Sequence, residues 1–202
     1  MAQLNVDQAA DALGVSHVQV GRLIDAGELD AQRFGRSWII EPESLRRYRL
    51  LRPRRGRPLS ERASWQRILD AEPPANIDEA IDLARLVRRR SQNERIRILP
   101  ALDGRMDDDL RARHGGAHAA IHHGAGIGRP DQRDIYISAA DADAFRADYR
   151  ANPNADDPNV VLRIVDEPMA FADKFVPPIV AVLDLLDAAD TRAAAEALRI
   201  LR

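Results

Sequence analysis

Residues 4–58 read LNVDQAADALGVSHVQVGRLIDAGELDAQRFGRSWIIEPESLRRYRLLRPRRGRP, and the spacing of apolar residues and breakers within them decides the fold. Val6, Ala9, Ala10 and Leu13 recur at i, i+3, i+4 and i+7, one face of a helix. Asn5 or Asp7 supplies its N-cap, and Gly14 the backbone freedom that stops it. Ser16 then opens a second helix as N-cap, whose inward contacts are Val20, Leu23 and Ile24, and Gly27 ends it. Leu29 to Phe34 and Ser37 to Ile40 are predicted as two short strands joined at Gly35-Arg36. Pro42 and Glu43 start a third helix that finishes in Arg46, Arg47, Tyr48 and Arg49.

Two short helices meeting at the tight turn Leu13-Gly14-Val15-Ser16 are what a DNA reader requires. The first turns of such a second helix face base edges in the major groove, and here they carry Ser16, His17, Gln19 and Arg22, all able to donate. The stretch from Leu4 to about Tyr48 resembles the excisionase or MerR-like winged helix-turn-helix. The resemblance rests on Ala9-Ala10, Leu13-Gly14-Val15-Ser16, Arg22-Leu23-Ile24, Gly27, Leu29, and Gly35-Arg36 with Trp38 behind. His17 departs from it, standing where an arginine is common. The resemblance implies a wing whose tip, at Arg36, meets phosphate.

A small helical domain used for protein contacts is the alternative, and the arm that follows argues against it. Seven arginines fall in the twelve positions from Arg46 to Arg57. Arg55-Gly56-Arg57-Pro58 is the core of an AT-hook-like sequence, suited to an extended backbone in a narrow minor groove. Arg52, Arg54, Arg55 and Arg57 are therefore further candidate DNA contacts.

Charge is distributed unevenly. The chain carries a formal −2, yet residues 1–60 hold ten arginines against seven acids, +3, leaving −5 for the remainder. A basic front and an acidic back point to different partners. Only Lys174 of the thirty basic residues is a lysine, and there is no cysteine, which excludes disulfides, thiolate metal sites and thiol chemistry. No run of about 18 apolar residues is present, and the first residues lack the basic-then-apolar pattern of a secretory signal. The expectation is a cytoplasmic protein with no membrane partner and no cofactor.

Beyond the arm, Ser60 is predicted to cap a helix through Ala71 with Trp65, Ile68 and Leu69 on its apolar face. Asn76 or Asp78 caps the next, with Ile77, Ala80, Ile81, Ala84 and Val87 inward and Arg88-Arg89-Arg90 as a solvated, dipole-complementing end. Residues 91–133 show little pattern: Ile96, Ile98 and Leu99 suit a strand or a helix, and Asp103-Gly104 a turn. Asp107, Asp108 and Asp109 lack a Ca²⁺-loop spacing and read as an acidic helix start rather than a metal site. His114, His118 and His122 would line one helical face, but without HExxH, and a helix over 117–123 packing Ala119, Ala120 and Ile121 is preferred to zinc. Gly124, Gly126 and Gly128 form a loose loop with little claim to phosphate. Ile135 to Ile137 is a strand, Ser138 caps a helix through Tyr149, and Val160 to Val165 is the strongest strand. Helices follow over Ile179 to Leu186 and, capped by Asp190, over Ala194 to Leu201.

The segments GRPLSERASW, IYISAADADAF, DPNVVLRIVDEP and VPPIVAVLDLLDAADTRAAAEAL together resemble the AbiEi-type antitoxins of type IV toxin–antitoxin pairs. This likeness spans roughly residues 56–202, with 91–133 contributing little. It implies autorepression through the winged helix and a nucleotidyltransferase-like toxin as gene partner. The fold class expected is α+β and helix-rich: a winged helix-turn-helix over 1–51, an arginine-rich AT-hook-like arm over 52–60, and a larger mixed α/β domain over 61–202 for a partner or for self-association. The function expected is an antitoxin and autorepressor, no enzyme, bound to double-stranded DNA at an inverted repeat in its own promoter, as a homodimer. A stand-alone regulator or excisionase-like architectural protein is the alternative, and no nucleophile, base and orienting group occur at catalytic spacing.

Overall fold

The computed structural model describes residues 4–35, 37–52, 58–128, 130–166 and 173–201. The chain is α+β, and it divides into two compact units, one holding the described residues up to 52 and the other nearly all of those from 58 on.

In the first unit, α1 (Val6–Leu13) begins at a capping box in which Asn5 Oδ1 accepts from Gln8 N and Gln8 Oε1 accepts from Asn5 N. Gly14 closes it at φ 65°, a left-handed cap that few residues other than glycine adopt without strain. Then come α2 (His17–Asp25), a hairpin of β1 (Ala31–Phe34) and β2 (Ser37–Ile40), and α3 (Pro42–Leu50). The hairpin pairs Ala31 with Ile40 and Phe34 with Ser37. Leu4 pairs with Ile40 on the other side of β2 through two backbone hydrogen bonds of 3.2 and 2.7 Å. A core of Ala9, Ala10, Val20, Leu29, Ile40 and Leu45 joins the three helices to the hairpin.

The second unit opens with α4 (Glu61–Leu69), capped by Ser60, and α5 (Ile77–Leu86), capped by Asn76. After them come β3 (Gln92–Ile96), α6 (Pro100–Asp103), a 3₁₀ turn over Gly104–Asp107, β4 (Arg113–Gly115) and α7 (Gly116–His122). β5 (Arg133–Ser138), α8 (Ala142–Asp148), β6 (Val160–Val165), α9 (Pro178–Asp187) and α10 (Thr191–Ala197) complete it, with a 3₁₀ turn over Leu198–Leu201. The four strands run in the order β3-β6-β5-β4; only β5 and β6 are parallel, joined by the crossover helix α8.

Both faces of this sheet are covered at its centre, and β6 is apolar at every position but Arg163. On one face Ile135, Ile137, Val160, Leu162 and Ile164 pack with Phe145 and Tyr149 of the crossover and with Met106. The other face is polar. Tyr136 and Arg163 lie side by side in register, and Asp184 of α9, 0% exposed, sits among them. Asp184 Oδ1 accepts from Tyr136 Oη at 2.7 Å and from Arg90 Nη2 at 2.8 Å, with Arg163 Nε at 3.4 Å, while Oδ2 accepts from Gly116 N at 3.0 Å. Arg163 also binds Asp134 at 2.8 Å. Burial, then the Asp184 carboxylate, pushes the Tyr136 phenol well above its ordinary range. Gly115 and Gly116 are required here: a Cβ on Gly115 would lie 2.6 Å from Asp184 Oδ2, and one on Gly116 2.2 Å from Asp134 Oδ2.

Several expectations are corrected. Arg90 is no solvated helix end; α5 stops at Leu86 and Arg90 is buried on Asp184. Leu69 leaves the apolar face of α4 and is 69% exposed. Ser138 does not cap α8 directly; its hydroxyl donates to Asp141 Oδ2 at 2.6 Å, and the helix starts at Ala142. Asp103-Gly104 is helical rather than a turn. His114 stands in β4, off the helix that carries His118 and His122. Asp103 and Asp107 clamp the Arg133 guanidinium at 2.8 and 2.7 Å, and Asp109 binds Arg111 at 2.8 Å. Burial opposes the charge on Asp107, but Arg133 prevails and holds its carboxyl below the usual range. No cluster of three or more metal-ligating side chains occurs among the described residues.

Two outcomes follow for stability. Asp184→Ala strands Arg90 in the core, and urea unfolding should show a loss of about 3–5 kcal/mol. His114 is buried with Asp107, Arg133 and Lys174 facing it; desolvation, only partly opposed by Asp107, lowers its pKa below 6.5. Below that ordinary value the unfolded chain takes up the proton before the folded chain does, so stability falls with falling pH. Urea midpoints of His114→Phe, set against wild type, should rise progressively from pH 7 to pH 5.

Candidate nucleic-acid interface

Position along α2 follows from its wheel of 100° per residue. Val20, Leu23 and Ile24 turn to the core of the first unit; His17, Val18, Gln19 and Arg22 are exposed. The helix is held at its start by Ser16, whose Oγ accepts from Gln19 N at 3.3 Å, and against α1 by the bond from Val15 N to Ala10 O at 3.1 Å.

The residues singled out from sequence are placed as follows. Ser16 spends its hydroxyl as N-cap. His17 Nε2 lies 3.2 Å from Asp7 Oδ1, an exposed pair that water weakens. Gln19 and Arg22 point outward side by side at i and i+3, and among the described residues no carboxylate pairs with Arg22. Arg52 is exposed just past α3. Arg36, Arg54, Arg55 and Arg57 lie outside the described residues.

Three arginines of the basic run are held within the unit. Arg47 pairs with Asp30 at 3.1 Å, Arg46 with Glu43 at 3.4 Å, and the Arg49 guanidinium donates to the Ala12 carbonyl. Asp30 N also donates to Ser44 Oγ at 2.6 Å. These bonds tie α3 to the start of the hairpin and to α1, so Arg47 and Arg49 serve as struts. Sequence reasoning passed over two exposed apolar side chains: Val18 on α2, 67% exposed, and Phe34 beside the hairpin loop, 76% exposed. The signal for Phe34 was strand alternation, since its neighbour Arg33 lies over the Trp38 ring at 5.8 Å.

Helix, glycine turn, second helix with an outward polar face, and a hairpin after it define a DNA-binding helix-turn-helix module. The family described as "Helix-turn-helix domain" matches residues 4–50. Uncharacterized protein Rv2310 of Mycobacterium tuberculosis and Uncharacterized protein Mb2337 of Mycobacterium bovis are each 33% identical to this chain over 94 residues, which are 46% of this chain and 82% of the relative. The chain belongs to the family of these mycobacterial proteins. No solved structure matches it. Among the described residues no helix is long and apolar enough to cross a membrane.

Ser16→Ala should lower stability by about 1 kcal/mol in thermal unfolding through loss of the cap.

Proposed function

We propose that this protein is a sequence-specific DNA-binding autorepressor and the antitoxin of a toxin–antitoxin operon, working in the cytoplasm without catalysis. The observation that carries the DNA half is the outward face of α2, with Gln19 and Arg22 presented on a core-anchored helix inside a helix-turn-helix match. Gln19 suits bidentate contact with adenine, and Arg22 with guanine or phosphate. Arg36 at the hairpin loop meets phosphate, and the arginines from Arg52 to Arg57 follow the backbone or minor groove. One such module reads few base pairs, so a homodimer on an inverted repeat, aided by the arm, supplies specificity.

The antitoxin half rests on the likeness of residues 56–202 to AbiEi-type antitoxins, and the partner it implies is a nucleotidyltransferase-like toxin. α9 offers no apolar face to a partner, since Val180 through Leu186 are all buried. A toxin would therefore be met by other surfaces of the second unit. The stand-alone regulator reading has one observation in its favour. Its relatives are much shorter than this chain, the same 94 residues filling most of them and under half of it.

Footprinting of the full chain on its own promoter tests the first half, and co-purification with the product of the neighbouring gene tests the second. If about five cations neutralise phosphates, log affinity should fall with log salt at a slope of roughly −4.5. Gln19→Ala should relax sequence preference, while Arg55→Ala with Arg57→Ala should weaken binding and flatten that slope. A footprint and affinity unchanged by both would refute this geometry.

A further inference from the structure

Gly21 sits in the middle of α2, where glycine is the least favourable residue after proline. Among the described residues nothing calls for it. A Cβ built there meets no atom within 4 Å, and its φ is not in the left-handed region. The contrast with Gly115 and Gly116, where an added carbon would collide at 2.6 and 2.2 Å, is direct. On the helical wheel Gly21 follows His17 by one turn and adjoins Val18 and Arg22. Val18 and Arg22 lie exposed opposite Val20, Leu23 and Ile24, with exposed His17 and half-buried Gly21 along the edge beside them. Val18 is the second anomaly: a β-branched apolar side chain, 67% exposed, near the start of the helix and one turn before Arg22.

Each anomaly costs the free protein something and each is explained by one occupant. Resting on the DNA-binding reading above, we infer that the strip His17–Val18–Gly21–Arg22 is the surface seated against duplex DNA. Gly21 is left bare so that the helix backbone approaches the major groove closely, and Val18 reads the 5-methyl group of a thymine. That methyl is the apolar feature of the major groove, and small aliphatic side chains pack on it. Flanking donors at Gln19 and Arg22 would read the neighbouring base edges, so the element recognised contains a thymine next to a purine.

The test uses the full-length chain and duplexes enriched by it from a random-sequence pool. Gly21→Ala should raise the melting temperature, since alanine favours the helix and the space is open, yet weaken binding to the enriched duplex by about tenfold or more. Replacing thymines one at a time by deoxyuridine should reveal one position where loss of the methyl weakens wild type several-fold, and Val18→Ala should be indifferent to that exchange. Wild-type affinity in Gly21→Ala, or a lowered melting temperature, would overturn the close approach. Indifference of wild type to every exchange, or a sensitivity that survives in Val18→Ala, would overturn the methyl contact. A pool that yields no enriched sequence would remove the DNA-binding reading itself, and this inference with it.

Discussion

A nine-residue helix has little circumference to share, and α2 has two claims on it. The inward side must be apolar enough to hold the helix on α1, the hairpin and α3. Val20, Leu23 and Ile24 meet that demand, with Val20 wholly buried. Everything outside that arc is released from packing, so its identities answer to something other than the fold. The unit reinforces this division by fixing the helix at its start, with the Ser16 cap and the Val15–Ala10 bond. A surface offered to base edges has to be presented by a scaffold that does not rotate under it.

The second unit solves a different problem. Its sheet is covered on both faces, yet one face carries two arginines, a tyrosine and two aspartates in place of aliphatic residues. A buried carboxylate is tolerable only when its lone pairs are taken up, and Asp184 has donors from Arg90, Tyr136 and Gly116 N around it. Buried ion pairs often gain no stability over aliphatic residues of equal volume. The bonds of this polar core tie α7, α9, Arg90 and the sheet to one another.

The first unit was legible from sequence almost to the residue. Its caps are local: Asn5, Gly14 and Ser16 act within three or four positions, and the apolar spacing of α1 and α2 needs no knowledge of distant chain. The α+β class and the strong strand over 160–165 were legible for the same reason. Arg90 was misread because its partner lies 94 positions away on α9, so the run Arg88-Arg89-Arg90 looks uniformly solvated. Arg163 looked like an interruption in an apolar strand, when it is the residue that pairs with Asp134. The stretch 91–133 resisted reading because its strands are short, β3 is polar at an edge, its aspartates are engaged with arginines and its histidines with Phe175 and the Val176 carbonyl, none of which shows as periodicity. Gly21 and Val18 carry no pattern at all; only the space around them gives them meaning.

Leu4 is bonded on both sides of its backbone to Ile40, thirty-six positions later. The smaller unit is thus cinched like a drawstring, its leading edge knotted to the far strand of the hairpin. While the chain is being synthesised, α1 and α2 emerge first but have no partner for that knot until β2 is out. Competence for DNA should then arrive in one step late in the emergence of this unit, and a truncated nascent product would bind DNA poorly.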